Sequence, residues 1–366
     1  MTHLVVTGGL GFIGSHVVEA AVGRGWRVTV VDSLRPDVHA SAEVPDWFSS
    51  LHGDLDLLVA DAGAIPEALL RSADAVCHQA AKVGLGVDFG DAPDYVDSNV
   101  GVTARLLARM AAAGTTRLVL ASSMVVYGEG LYRDGHAVVQ PPVRAVADLR
   151  AGRFDPLDRE GRPLQPLLIR EDDPTEPRNV YAVTKLAQEQ LARSWARSTG
   201  GRVVALRYHN VFGARMPSGT PYAGVASLFR SRLDQGLAPL VFEDGRQRRD
   251  FVDAIDVAAA NVRAIEWLET RPEGAVHAYN VGSGTVRTIG EFASAIADAL
   301  GGPAPVVTGD FRLGDVRHIT ASSERIAVEI GWRAQRPWRD AVRAFTAAPM
   351  RRRVTASPLP LRQTAG

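Results

Sequence analysis

The chain has 366 residues, 46% of them apolar, and its 41 basic residues balance 41 acidic ones, so its formal net charge is zero. This composition supports a large folded core and excludes a general nucleic-acid-binding surface, which needs clustered positive charge. A single cysteine, Cys77, excludes an internal disulfide or a cysteine zinc cluster. No apolar run reaches the ~18 residues of a membrane span, and an apolar strand begins at once with no leader pattern. We therefore expect a soluble, cytoplasmic protein.

The first predicted elements are a strand, a glycine loop and a helix. His3–Thr7 is apolar, Phe12–Val22 has helical spacing, and Gly8 with Gly9-x-Gly11-x-x-Gly14 lies between them. Glycines let the backbone turn tightly and let a pyrophosphate approach the helix N-terminus, where free N–H groups favour anions. Three glycines alone are also common in a simple turn, so the interpretation of this loop as a pyrophosphate site depends on the elements around it.

The next element supplies that context. A second apolar strand is predicted over 26–32, and it ends in Asp32, eighteen residues after Gly14. A dinucleotide-binding fold places at this point the carboxylate that binds the adenosine ribose. Because a carboxylate repels a 2′-phosphate, NAD is favoured over NADP. The nearby Arg35 weakens this preference, since an arginine could pair with that phosphate.

The rest of the chain alternates strands and helices. Further strands are predicted near 51–53 and over 74–78, 116–122 and 202–208, and helices over 61–71, 95–113, 180–197 and 223–235. Apolar strands alternating with helices favour a parallel sheet covered on both faces. The predicted class is α/β, a doubly wound parallel (Rossmann) sheet.

Two segments lack this pattern. Residues 131–171 are rich in Pro, Arg, Gly and Asp, and such a long loop is either functional or a surface excursion. Residues 349–366 carry three consecutive arginines and several prolines. We expect them to be a disordered tail whose arginines are solvated rather than part of a site.

Three side chains carry the predicted chemistry. Ser123 follows an apolar strand, where doubly wound sheets bind ligands, and Tyr181 and Lys185 lie one helical turn apart. A tyrosine with a pKa near ~10 is a poor base at neutral pH, but a nearby ammonium and a positive nicotinamide ring favour its phenolate. Tyr181 would then take a proton from a substrate hydroxyl while hydride leaves the same carbon for NAD, with Ser123 bonded to that oxygen. Tyr-x-x-x-Lys alone is a common coincidence on helices.

Over about residues 3–345 the sequence resembles the extended short-chain dehydrogenases/reductases, specifically their nucleotide-sugar epimerase/dehydratase group. The matching motifs are the glycine loop, Asp32-Ser33-Leu34, Gly53-Asp54-Leu55 as the adenine site, the run 78–82 and the catalytic set. The resemblance implies Ser123, Tyr181 and Lys185 as catalytic residues. It implies that NAD is bound by Gly8, Gly11, Phe12, Ile13, Gly14, Asp32, Asp54, Leu55, Ala80, Lys82, Asn99, Tyr181 and Lys185.

Later motifs resemble sugar-nucleotide signatures of the same family. The resemblance implies that Asn210 contacts the substrate beside Ser123, and that Arg249 and Arg312 grip its pyrophosphate. Guanidinium groups suit this role because they stay charged and match phosphate oxygens. The implied partner is a nucleotide-diphosphate sugar, dTDP- or UDP-linked.

The residues after Ser123 limit the reaction. Family dehydratases carry an Asp-Glu pair there and decarboxylating members a glutamate, but this chain has Met124 and Val125. What remains is C4 epimerisation or one-way 4-ketoreduction with NAD(P)H, and a dinucleotide-sensing protein without catalysis is a third alternative. Several segments resemble dTDP-L-rhamnose 4-epimerase-type enzymes most. Relatives with a zinc-like site have cysteines in the insertion, which this chain lacks, so no metal is expected.

The resemblance also implies two units and a homodimer. The NAD-binding unit would comprise 1–208 and about 247–278, and a smaller, largely C-terminal substrate domain would comprise 209–246 and about 279–348. Two helices per subunit, near 95–113 and 180–197, would form the dimer interface.

Overall fold

The computed structural model describes residues 1–36, 38–39, 43–84, 89–218 and 224–351. Its strands are β1 His3–Thr7, β2 Arg27–Asp32, β3 Leu55–Val59, β4 Ala75–His78, β5 Arg117–Ser123, β6 Tyr132–Asp134, β7 Ala137–Val139, β8 Gln165–Pro166, β9 Arg202–Tyr208, β10 Asn210–Phe212, β11 Leu240–Val241, β12 Arg248–Asp253, β13 Val276–Val281, β14 Val286–Thr288 and β15 Val306–Val307. Its α-helices are α1 Phe12–Val22, α2 Asp46–Ser49, α3 Glu67–Ser72, α4 Ala92–Tyr95, α5 Val102–Ala113, α6 Val146–Arg150, α7 Val180–Thr199, α8 Val225–Leu233, α9 Ala254–Leu268, α10 Ile289–Leu300, α11 Glu324–Glu329 and α12 Trp338–Ala347. None of the helices within these ranges is long and apolar enough to cross a membrane.

A seven-stranded parallel sheet forms the centre of the larger unit. Its strand order is β13-β9-β5-β4-β1-β2-β3, and each neighbouring pair is parallel. β2 and β3 lie on one side of β1, and the chain then crosses over to form β4 on the other side. This reversal creates a crevice at the carboxyl ends of β1 and β4, where doubly wound folds bind ligands. The predicted fold class is confirmed.

Both faces of this sheet are buried, as the apolar strands predict. In β1, Leu4 and Val6 point into a core that includes residues of α1 and α9. Val5, between them, points into a second core with residues of α3, α5 and α7. The period of two along the strand therefore places one layer of helices on each face.

A smaller unit packs around aromatic side chains. Its core includes Phe212, Phe251, Phe292 and Phe345, and the rings of Phe251 and Phe292 lie 4.0 Å apart between centroids. In its sheet β12 pairs with β10 and β14. The chain returns to the larger unit through α9 and β13, so the smaller unit is not one continuous segment. The exact domain boundaries stay a prediction.

The insertion 131–171 docks on this smaller unit. It contains the sheet β7-β6-β8 and is held by ion pairs, because Arg144 lies 2.8 Å from Glu243 and Asp155 lies 2.7 Å from the fully buried Arg317. Its backbone also pairs with the C-terminal region, since Ile169 N–H donates to Thr320 O at 2.8 Å. The insertion is thus a packed part of the protein rather than a free excursion.

Three predicted elements differ in the structure. The strand expected near 51–53 is wrong, because β3 begins at Leu55. The helix expected over 61–71 is split into a 3₁₀ turn, Ala62–Ala64, and α3, since Pro66 cannot continue a helix. Part of the expected tail is also wrong, because Met350 packs on the aromatic core and Arg351 forms a backbone bridge to Pro217. Residues 352–366 lie outside the described residues.

Candidate active site

A cavity of about 670 Å³ opens at the carboxyl ends of the central strands. Gly8 follows β1, Gln79 follows β4 and Ser123 ends β5, and all three line it. Residues after β9 and from the start of α8 close the other side. The cavity therefore lies between the parallel sheet and the smaller unit.

The glycine loop forms the floor of this cavity. Gly8 has a φ of +65°, and a Cβ there would lie 2.7 Å from the backbone of Ala80. A Cβ on Gly14 would overlap the carbonyl oxygen of Gly8. Gly8, Gly11, Phe12, Ile13 and Gly14 all line the cavity, and α1 begins at Phe12. A dinucleotide diphosphate fits this arrangement, because bare backbone and a helix N-terminus face the space.

Asp32 lies at the rim where β2 ends. Its carboxylate accepts hydrogen bonds from the N–H groups of Leu10 and Leu34, each at 3.0 Å, and lies 3.3 Å from His39 Nε2. Burial raises the pKa of Asp32, but His39 and the two N–H groups outweigh it and leave the pKa below its ordinary value. An ionised carboxylate therefore faces the cavity. Arg35 is bound to Asp94 at 3.0 Å, so that ion pair competes with binding of a 2′-phosphate.

Replacing Asp32 by asparagine is expected to weaken NAD binding roughly tenfold, the effect of one charge-assisted hydrogen bond. The same change should narrow the preference for NAD over NADP, because the repulsive charge is gone. Titration of the stripped protein with both dinucleotides measures this, and Asp56→Asn, an exposed carboxylate on β3, is the control. NADP binding to the wild type as tightly as NAD would contradict the assignment.

The adenine site assigned to Asp54 and Leu55 is wrong. Because β3 is parallel to β2 and Val59 pairs with Asp32, both residues lie at the opposite end of the strand from the cavity. Asp54 instead faces Arg27 at 3.7 Å. At this edge of the sheet the cavity is instead lined by Asp61 and Ala62, just beyond the carboxyl end of β3.

Residues after β4 form the opposite wall of the cavity. Ala80 and Lys82 line it, and Lys82 Nζ lies 2.5 Å from Asp94. Asn99 is fully buried and is not among the residues that line the cavity. Its amide bonds the backbone N–H and carbonyl of Lys82 at 2.8 and 3.0 Å and donates to Thr184 Oγ1 at 2.9 Å. Asn99 therefore positions Lys82 against α7 and does not itself face a ligand.

The structure brings Ser123, Tyr181 and Lys185 together in the same cavity. The Asn179 side chain caps α7 by accepting from Ala182 N–H at 2.9 Å, which fixes the first turn of the helix that carries Tyr181. Lys185 Nζ lies 5.9 Å from the Tyr181 ring centroid and donates to the carbonyl of Ala121 at 2.9 Å. A tyrosine, a serine and an amine at one point make a proton-transfer site.

Burial has the largest effect on the pKa values of Tyr181 and Lys185. It raises the pKa of Tyr181 to about 12, against a smaller opposing hydrogen bond with Ser123. It lowers the pKa of Lys185 to about 7, although the carboxylate of Glu189 opposes this. The sequence predicts a lowered pKa for Tyr181, but the surrounding protein raises it. A positive charge entering with a ligand is needed to favour the phenolate.

The sequence analysis did not identify a buried ion pair that lies next to the site. Glu189, one turn after Lys185 on α7, accepts from Arg207 at 3.0 and 2.8 Å and from Ser122 Oγ at 2.5 Å. Arg207 also donates to Tyr127 Oη at 2.8 Å. The pair links α7, which carries Tyr181, to β5 and β9. The sequence feature that could have indicated it is the spacing of four residues between Lys185 and Glu189, which places both on the same face of α7.

Of the four predicted substrate residues, the structure places two, Ser123 and Asn210, in the cavity. Asn210 lines it, and its buried Oδ1 has no hydrogen-bond partner among the described residues. Arg249 and Arg312 are not brought to the cavity. The Arg249 guanidinium donates to the carbonyls of Arg317 and Val316, each at 2.9 Å, and the exposed Arg312 stacks on Phe242 at 5.2 Å. Their grip on a pyrophosphate stays a prediction that requires them to change partners.

Fold and site together define a dinucleotide-binding enzyme on a doubly wound sheet, with a serine, a tyrosine and a lysine lining its cavity. Residues 4–282 match the NAD dependent epimerase/dehydratase family, and the chain belongs to that family. The predictions of an enzyme of this family and of NAD as its cofactor are confirmed.

Similarity to individual proteins extends over most of the chain. A dTDP-L-rhamnose 4-epimerase from Burkholderia thailandensis is 38% identical over 345 residues, which cover 91% of this chain and 90% of that protein. The structure of a UDP-glucose-4-epimerase from Stenotrophomonas maltophila, with bound NAD and formylated UDP-arabinopyranose, has a TM-score of 0.76 at 27% identity over 95% of this chain and 97% of that one. A UDP-N-acetylglucosamine 4-epimerase from Methanobrevibacter ruminantium, in complex with UDP-N-acetylmuramic acid, has a TM-score of 0.75 at 26% identity over 94% and 97%.

Proposed function

We propose that the protein is an NAD-dependent C4 epimerase of a dTDP- or UDP-linked sugar, acting as a cytoplasmic homodimer. The observation that carries this proposal is that Ser123, Tyr181 and Lys185 line the same cavity as the glycine loop and Asp32. The tyrosine base thus lies where a dinucleotide would bring its reactive ring. The relative that is 38% identical supports a 4-epimerase of a dTDP sugar.

NAD, when bound, supplies the acceptor and donor of hydride for C4 and brings a positive charge beside Tyr181. The chain supplies the proton chemistry. Tyr181 takes the proton of the C4 hydroxyl and later returns it, and Ser123 donates a hydrogen bond to the same oxygen. Lys185, on the next turn, holds the base in place and favours its phenolate whenever it carries its proton.

Inversion needs a sugar that turns while its nucleotide stays fixed. Asn210 lines the cavity from the start of β10, and its buried Oδ1, which has no hydrogen-bond partner among the described residues, is suited to hold the part of the substrate that does not react. Arg249 and Arg312 would grip the pyrophosphate from the smaller unit. The two residues after Ser123, Met124 and Val125, offer no acid or base for removing water. The identity of these two residues favours oxidation and reduction at one carbon over dehydration.

A C4-deuterated nucleotide sugar tests the proposal against a 4-ketoreductase. The expected result is inversion at C4 with deuterium retained there, without added cofactor, starting from dTDP-L-rhamnose or from its C4 epimer. Both epimers should reach the same ratio from either side. Failure to invert any dTDP- or UDP-sugar, together with stoichiometric use of NAD(P)H on a 4-keto sugar, would overturn the epimerase and establish the ketoreductase.

A further inference from the structure

Arg351 lies beyond the last helix, yet its backbone is fixed against the cavity wall. Its N–H donates to Met216 O at 3.0 Å, and its carbonyl accepts from Ser218 N–H at 2.9 Å. Met216 and Pro217 both line the cavity. The segment after α12 is therefore joined to the loop that closes the proposed NAD site.

The side chain of Arg351 reaches across to the glycine loop. Its Nη1 donates to the carbonyl of Leu10 at 3.2 Å, and the residue lines the cavity. Its Nε is buried and has no hydrogen-bond partner in the described part of the chain. A buried N–H donor without an acceptor is costly, and an incoming acceptor would remove that cost.

The charge of this group also lacks a counter-ion in contact. Among the described ion pairs none includes Arg351. Burial lowers the pKa of Arg351, and the negative charge of Asp32 offsets this only in part. Arginine remains protonated even so. A cation thus stands beside the loop whose N–H groups face an anionic ligand.

We propose that Arg351 binds the diphosphate of NAD and fastens residues 348–351 beside the bound cofactor. This inference rests on the proposed NAD site. The diphosphate provides what the structure lacks at this point, namely an anion beside the glycine loop with acceptors for a guanidinium. The ribose near Asp32 is a weaker match, because its hydroxyls carry no charge.

Calorimetric titration with NAD, ADP and adenosine tests the proposal. It compares three variants with wild type, each stripped of cofactor: Arg351→Ala, Arg351→Lys and Arg343→Ala. Arg343 is the matched control, an exposed arginine on α12. The alanine variant at 351 should bind NAD and ADP about tenfold to a hundredfold more weakly, and the lysine variant should fall between. Adenosine affinity should be unchanged. The alanine variant should also show a flatter dependence of NAD affinity on salt, because one charged contact is gone.

The outcomes separate this inference from the proposed site. NAD binding by Arg351→Ala equal to or tighter than wild type would overturn the role of Arg351, and tighter binding would mark the side chain as an obstacle in the cavity. An equal loss with adenosine would place its contact on the nucleoside and also overturn the proposal. If wild type fails to bind NAD, or Gly14→Val binds it unchanged, the proposed site itself is wrong. Unchanged thermal unfolding of the stripped variants shows that folding is not the cause.

Discussion

Replacing Tyr181 by phenylalanine is expected to lower kcat by about 10²–10⁴-fold, the usual contribution of a general acid–base group. The substitution keeps the ring, which packs 6.2 Å from that of Tyr95 between centroids, and removes only the hydroxyl. NAD affinity and the unfolding midpoint should therefore change little. Turnover of the nucleotide sugar under saturation, with NAD content measured for each preparation, gives the result.

The pH profile separates a base from a merely structural hydroxyl. Burial raises the pKa of Tyr181 to about 12, so the group is protonated at neutral pH and becomes a base only as its proton is lost. The wild-type rate should therefore rise with pH until the phenolate is populated in the loaded enzyme. The phenylalanine variant should lack this rise.

Tyr279→Phe is the matched control for this experiment. Tyr279 is fully buried in β13 and donates to Glu329 at 2.5 Å, but it does not line the cavity. The control also removes a buried phenol hydroxyl, and it should keep the rising limb of the wild-type profile. A loss of less than tenfold in Tyr181→Phe, or a rise with pH that survives the substitution, would remove Tyr181 from the role of base.

Local features made the first half of the site predictable. The strand, loop and helix around Gly8–Gly14 are adjacent in sequence, and the spacing of Tyr181 and Lys185 is fixed by one helical turn. Asp32 could be placed because β2 is a buried strand whose apolar run ends visibly at its carboxyl end. In each case the chemistry and its geometry lie within a single element or one turn beyond it.

The misplaced adenine site has the opposite cause. β3 is the edge strand, and none of its residues is fully buried, so its apolar pattern does not reveal where it starts and ends. Asp54 and Asp61 lie on either side of it, and only the pairing with β2 shows which of them reaches the cavity. Arg351 depends on a contact with Leu10, at the other end of the chain. No local pattern could have shown it.

Loss of the Arg207 guanidinium is expected to have the largest effect on stability. Arg207 and Glu189 are each 5% exposed, and removing one partner leaves the other charge buried without compensation, at a cost of about 3–5 kcal/mol. Arg207→Met should lower the free energy of unfolding of the stripped protein by this amount in denaturant titrations. Stripping matters because bound NAD would itself stabilise the folded state.

The matched control is an ion pair at the surface. Arg153 lies 2.6 Å from Asp148 but is 55% exposed, so Arg153→Met should change the unfolding free energy by no more than about 1 kcal/mol. The double variant Arg207→Met/Glu189→Leu should recover part of the loss, because it removes both buried charges. The unfolding free energy should recover only in part, because Ser122 Oγ then loses the carboxylate to which it donates a hydrogen bond.

The same variants test whether this pair positions the catalytic groups. Glu189 is one turn from Lys185 on α7, and it holds Ser122, the neighbour of Ser123 on β5. Without it, the tyrosine and serine are no longer held at one fixed separation, so kcat should fall at temperatures where the variant remains folded, while NAD stays bound. A destabilisation no larger than that of Arg153→Met would show that the pair does not secure the fold. If the Arg207→Met variant is destabilised but folded and its kcat is unchanged, the ion pair contributes only to stability. Tyr181 is then positioned only by the cap and the packing of α7.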